Sequence, residues 1–337
     1  MKRSVIQSGS AARLAALSLA LLAIAVPAQA QTPKVAQSGM TFLQIPIGAR
    51  GAAMGYANAA VVNDASAFYW NPSAYAFIEG TSLFANRTQW IGEINVSAAA
   101  VSHNAGRWGI IGANITSVDW GTFNGTRRAD NDAGFEDTGT FSPMSMAVGV
   151  TYSYLISSSF GVGGNVKYLY ERLGAGLVGS FEEPESVDAK MTLIAVDFGT
   201  TYYVGYHDLR IGVALRNFSN EKAYRVETFP LPMTFSVGMA MNVLNTVMPG
   251  TPHTFTVTSD FVHSRDYSER LHVGAEYGFQ NLLFLRGGYK LNYDLESLSL
   301  GAGINIEMRG IQARVDYSYL QMDLFDGVNM LSVDFSF

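Results

Sequence analysis

The sequence predicts an all-β fold, a transmembrane antiparallel β-barrel of about 14 strands with an N-terminal plug segment. Three observations predict it. The chain opens with an export leader, the remainder is apolar without any run long enough for a spanning helix, and from Thr81 onward polarity alternates with a period of two. In lipid only helices and closed barrels satisfy their own backbone, so an exported apolar chain without a spanning helix points to a barrel.

The leader comes first. Lys2, Arg3 and Arg13 supply positive charge, Leu14 to Val26 forms an apolar core, and Ala28-Gln29-Ala30 has the small-x-small form of a cleavage site. The expected division is a cleaved signal peptide over 1–30, a periplasmic plug segment over 31–80 and an outer-membrane barrel over 81–337. The chain has no Cys, which excludes a lipoprotein anchor and a disulfide-stapled scaffold. Its 22 basic side chains are outnumbered by 28 acidic ones, and three of the basic ones belong to the leader, so a nucleic-acid partner is not expected. Charged residues make up 15% of the chain, below the roughly 25% of ordinary soluble domains. The expected location is the outer membrane of a Gram-negative-type bacterium, with lipid and the barrel-assembly machinery as partners.

The strands follow in order, near 81–90, 93–102, 107–118, 142–154, 159–172, 190–204, 208–217, 231–241, 252–262, 268–277, 281–291, 297–307, 309–319 and 328–337. Leu271, Val273, Ala275 and Tyr277 oppose His272 and Glu276; Ile311, Ala313, Val315, Tyr317 and Tyr319 oppose Gln312, Arg314, Asp316 and Ser318. The polar faces are rich in Gly and Ser, as a confined lumen requires. Connectors after even-numbered strands are mostly short, whereas 119–141, 173–189 and 218–230 are long. Short periplasmic turns alternating with long extracellular loops, and an even strand count, place both barrel termini in the periplasm. Aromatic residues near strand ends, including Trp90, Trp108, Trp120, Tyr277, Tyr289, Tyr293 and Tyr319, read as interfacial girdles.

The lumen-facing charges Lys167, Arg210, Arg216, Glu276, Arg286, Lys290, Arg314 and Asp316 mix both signs, which favours mutual pairing and anchoring of the plug over an ion-selective lining. Between Trp108 and Ile115 the apolar face switches across Ile110-Ile111-Gly112, so Gly109 and Gly112 mark a kink in the wall: a bulge that sets curvature, or an opening toward the bilayer. The last strand carries Leu331, Val333, Phe335 and Phe337 on one face. The terminal aromatics Phe335 and Phe337 resemble an assembly signal and should close the barrel against the strand at Thr81.

Residues 39–80 do not alternate and are rich in Gly and Ala, with Asn58, Asn63, Asp64, Asn71 and Pro72 as turn or cap residues. About fourteen strands enclose more space than a small eight-stranded barrel can fill with side chains, so this segment is placed to plug the lumen. Phe42-Leu43-Gln44-Ile45, then Gly48 to Gly55 with Arg50 and Met54, then Asp64 through Trp70-Asn71-Pro72-Ser73, resembles the N-terminal signature of the PorV/PorQ proteins, with Ser73 where Ala is usual. These are similar in fold to the fatty-acid channel FadL. The resemblance implies a non-enzymatic component of type IX secretion that binds exported cargo or partner proteins through extracellular loops; the alternative is a FadL-like passive channel for hydrophobic small molecules.

No catalytic or cofactor chemistry is legible. Gly174 to Gly179 matches GxGxxG, but it leads into an acidic stretch with Pro184 instead of a helix. Asp130-Asn131-Asp132-Ala133-Gly134 resembles a calcium loop with its Gly one place early, but a solvated acidic surface loop is the favoured reading. The five His residues form no short-spaced pair, and no nucleophile elbow occurs. No cofactor and no metal are expected.

Overall fold

Each alternating segment from Thr81 onward is a strand, and each strand pairs antiparallel with its neighbours in sequence until Ser82 meets Ser336. The result is a closed barrel of fourteen strands in a computed structural model that describes residues 37–179, 184–223 and 227–337. The leader and its cleavage site lie outside the described residues, as do parts of the 173–189 and 218–230 loops. The barrel strands are β1 Thr81–Gln89, β2 Asn95–Asn104, β3 Ile110–Asp119, β4 Met144–Ser157 and β5 Phe160–Gly179. Next come β6 Pro184–Tyr203, β7 Arg210–Phe218, β8 Thr234–Asn242, β9 Thr254–Ser264 and β10 Arg270–Phe279. The wall ends with β11 Leu283–Leu291, β12 Glu296–Met308, β13 Ile311–Met322 and β14 Val328–Ser336.

One end of the barrel carries the tight connectors, with Gly80 and Phe337 beside them; we call it the turn end. The β8–β9 connector there contains a short helix, Val243–Val247. The opposite, loop end carries the long connectors. Residues 120–143 form a hairpin, Phe123–Arg128 on Phe135–Phe141, capped by a turn in which Gly134 accepts from Ala129. β5 and β6 remain paired well past the end of β4, with Val178 opposite Glu185.

The seam shows how the last residue closes the wall. Thr81 and Phe337 exchange both backbone bonds, N to O at 2.7 and 3.0 Å. Phe335 and Phe337 point outward, with the other large apolar side chains of the lipid face. Many inward positions are polar or small, as in Ser82, Asn86 and Thr88 of β1 and Ser102 of β2, while Phe84, Leu169 and Leu320 give the interior apolar patches.

The kink expected at Gly109 and Gly112 is not there. The β2–β3 ladder runs without a register shift from Asn104↔Ile110 to Asn95↔Asp119, and burial alternates throughout. Ile110 points inward because it packs in an apolar cluster with Tyr75 and Ile78, so two adjacent isoleucines sit on opposite faces without any bulge. Gly109 belongs to the turn before β3, with φ 86°, and Gly112 makes room for the ring of Tyr75. Register shifts occur instead at Leu155/Ser157, Arg172/Gly174, Val196/Phe198 and Glu296/Ser299.

Residues 37–80 run through the interior. Short helices form at Thr41–Gln44, Ala49–Ala53, Ala67–Trp70 and Pro72–Phe77. The last has Pro72 in its first turn, where a missing N–H costs nothing, and Asn71 caps it by accepting from the Ser73 N–H. The segment starts at the loop end, where Gly39 N donates to Pro230 O at 3.1 Å, and leaves at the turn end, where Asn104 N donates to Gly80 O at 2.8 Å. The described part of the segment therefore starts at the opposite end of the barrel from Phe337 and finishes beside it.

Candidate functional site

The inner segment contacts the wall through backbone as much as through side chains. Ala49 N donates to Ser332 of β14, Gly55 N to Ser299 of β12, and Asn58 N and Ala59 N both to Asp260 of β9. Where the two backbones meet, the wall supplies glycine. A Cβ on Gly212 would overlap Ala59, one on Gly274 would overlap Met54, and one on Gly288 would overlap the Met54–Gly55 peptide. Gly55 itself has φ 65° and lies against Tyr289 N and Val273 O, so a side chain there would be doubly excluded. Met54 is fully buried.

Asn71 and Pro72 repeat this pattern on β4, β5 and β6, beside the β7 strand that carries Gly212. Asn71 donates to Ala59 O at 2.7 Å and Thr200 O at 3.2 Å, and it sits over Gly199. Pro72 O accepts from Ser153. Ser73 bridges Asn71 Oδ1 and Thr201 at 2.7 and 2.8 Å, so the hydroxyl that departs from the PorV/PorQ pattern has partners. Trp70 donates its indole N–H to Ile47 O at 2.9 Å.

Three arginines and three carboxylates form a closed ring of alternating charge. Arg50 makes two bonds of 2.9 Å to Glu276; Arg286 takes Glu276 at 2.6 Å and Asp316 at 2.7 Å; Arg314 takes Asp316 at 3.1 Å and pairs with Asp64; Asp64 returns to Arg50 at 4.0 Å. Burial alone would raise the Asp64 carboxyl, but the guanidiniums of Arg314 and Arg50 outweigh it and hold the group below the ordinary carboxylate range. Two members, Arg50 and Asp64, come from the inner segment and four from β10, β11 and β13. The ring therefore staples the segment to the wall while neutralising every charge it buries.

The remaining charges lie elsewhere. Lys167 pairs with Asp197 at 2.8 Å and donates to Asn217 at 2.6 Å. Arg210 lies over the ring of Tyr203 at the turn end. Lys290 pairs with Glu296 and stands 3.8 Å over the ring of Tyr56, and Arg216 lies 4.7 Å over Tyr69.

Tyr56, Tyr69, Arg216 and Glu296 border a cavity of about 410 Å³ between the inner segment and the loop end. Rings dominate its lining: Phe42, Tyr56, Tyr69 and Trp70 from the inner segment, and Trp90, Trp120, Tyr267 and Tyr293 from the loop ends of strands. Trp90, Trp120 and Tyr293 are thus not members of an interfacial girdle; Trp120 turns inward to donate to Ser145 at 2.9 Å. Trp108, Tyr277, Tyr289 and Tyr319 do face outward. Polar and charged groups share the lining, among them Arg216, Ser236, Asp260, Arg270, His272 and Glu296, with Nε2 of His272 2.9 Å from the Tyr293 hydroxyl. A concave site whose rings supply apolar surface and whose polar groups supply anchors suits a small ligand with an aromatic or apolar body. The composition of strand ends carried the signal, because tryptophans follow both β1 and β3 at the loop end.

The fold and this interior define a class, the closed antiparallel β-barrels of fourteen strands whose lumen is occupied by an inner segment. A Pseudomonas aeruginosa FadL homologue superposes with a TM-score of 0.55 at 12% identity, over 87% of this chain and 98% of that one. The Pseudomonas putida toluene transporter TodX gives 0.55 at 12% identity, over 85% and 96%. A deltaS2 mutant of the TodX monoaromatic hydrocarbon channel gives 0.56 at 12%, over 86% and 98%. At such identity the likeness is one of fold. The chain itself belongs to UPF0164, an uncharacterised protein family, whose model matches residues 17–221. No curated protein matches the sequence.

Proposed function

We propose that this protein is a non-enzymatic outer-membrane channel for small apolar molecules, with the ring-lined cavity as their first binding site and the inner segment as the plug beneath it. The observation that carries the reading is the cavity itself: eight aromatic side chains around about 410 Å³. Likeness in fold to a FadL homologue and to TodX supports it. In this reading residues 1–30 are the export leader, the outward apolar face meets lipid, and Phe335 and Phe337 serve assembly.

Trp70, Trp90 and Trp120 line the cavity and report on it. Titrating naphthalene into the detergent-purified protein should quench their fluorescence saturably, and Ser236→Phe, which fills the cavity from β8, should abolish the saturable part. A strictly linear response of the unaltered protein would sink the proposal. The secretion role implied by the PorV/PorQ resemblance stands second, since it draws no support from the cavity or the likenesses in fold. Deleting 123–141, which removes the hairpin and keeps Trp120, separates the two: uptake of an apolar solute persists for a channel, whereas a cargo receptor loses partner capture.

A further inference from the structure

We infer that the chain enters its own barrel from the cell-surface side, so that the processed N-terminus is delivered outside while the C-terminus stays in the periplasm. The two ends of the inner segment are fixed independently. At its start, Gly39 is bonded to Pro230 in the β7–β8 loop, and Ser38 and Gln44 both reach Asp266 in the β9–β10 loop. Thr41 to Ile45 then border the cavity together with Trp90 and Trp120. At its finish, Asn104 donates to Ile78 O at 3.0 Å, and Gly80 leads into the seam formed by Thr81 and Phe337.

The long connectors mark which end is outside. The loop end bears the 120–143 hairpin, with Arg127, Arg128, Asp130, Asp132 and Glu136, and the projecting β5–β6 pair. The turn end has connectors as short as Arg309-Gly310. Extracellular loops are the long ones in barrels of this kind. Cleavage after Ala30 leaves residues 31–36 ahead of Gln37. Six residues reach at most about 20 Å when fully extended, short of the roughly 30 Å hydrocarbon core. A chain that starts at the outer mouth cannot return its N-terminus to the periplasm over that distance.

The absence of Cys from the chain makes the test direct. Single-cysteine variants Gln37→Cys, Thr41→Cys, Asp132→Cys and Glu79→Cys all alter exposed side chains. Intact cells are treated with a polyethylene-glycol maleimide too large to cross the outer membrane, and labelling is read as a gel shift. The expected result is a shift for Asp132→Cys and for at least one of Gln37→Cys and Thr41→Cys, with Glu79→Cys shifting only after lysis. The inference is overturned if Asp132→Cys shifts while both inner-segment variants stay silent. It is equally overturned if Glu79→Cys shifts in intact cells, because the barrel would then be inserted the other way round.

Discussion

Replacing Glu276 by Gln should detach the inner segment while leaving the barrel intact. The substitution keeps the shape of the side chain and removes one negative charge from the six-membered ring. Three bonds converge on that carboxylate, two from Arg50 at 2.9 Å and one from Arg286 at 2.6 Å. Arg50, Arg286 and Glu276 expose 12%, 1% and 6% of their side chains. Breaking a buried pair by removing one partner costs about 3–5 kcal/mol, because the other charge is left in a poorly solvating site. Arg286 retains Asp316 at 2.7 Å, so the lower end applies. A loss of about 3 kcal/mol raises the population of the detached state by roughly a hundredfold. Hydrogen exchange followed by mass spectrometry in detergent reads this directly. Peptides spanning 48–60 should exchange about a hundredfold faster in the variant, while peptides from β10 and β11 keep their protection. Unchanged exchange over 48–60 would refute the view that the ring holds the segment in place.

Two further predictions rest on the wall. Gly288→Ala should abolish the difference in gel mobility between boiled and unboiled protein, because its Cβ would overlap the backbone of Met54 and Gly55; Gly287→Ala, one residue away on the lipid face with only Leu300 at 3.8 Å, should behave as the parent. Deleting Ser336 and Phe337 removes both closing bonds to Thr81 and should lower the amount of barrel inserted in the outer membrane; normal levels by surface labelling would show that closure does not depend on them.

The wall was legible in the sequence because a strand at a lipid–lumen boundary must alternate, and all fourteen expected strands have counterparts in the barrel. The charges of the ring were legible as residues of mixed sign on inward faces, and Arg50 and Asp64 as members of a motif. Their mutual pairing was not, since it depends on how a segment without periodicity folds back on itself. Ile110 misled for a related reason: inward positions are usually polar, but this one faces the apolar side chains of Tyr75 and Ile78. Trp90 and Trp120 look in sequence like interfacial anchors, and only their inward rotation turns them into a lining. The direction of the inner segment was hidden too. Its fixed points, Asp266 and Pro230, lie in loops with no local pattern.

Glycine in the wall has a consequence for the order of events in biogenesis. The clearance between the inner segment and Gly212, Gly274 and Gly288 is that of two backbones in contact, and Gly199 and Gly112 receive Asn71 and Tyr75. A finished cylinder with those tolerances does not admit a folded insert through either mouth. A sheet still parted along the Thr81–Phe337 seam can be laid around one. In that order the segment acts as a mandrel: it would already fill the bore when Thr81 and Phe337 bond across the seam.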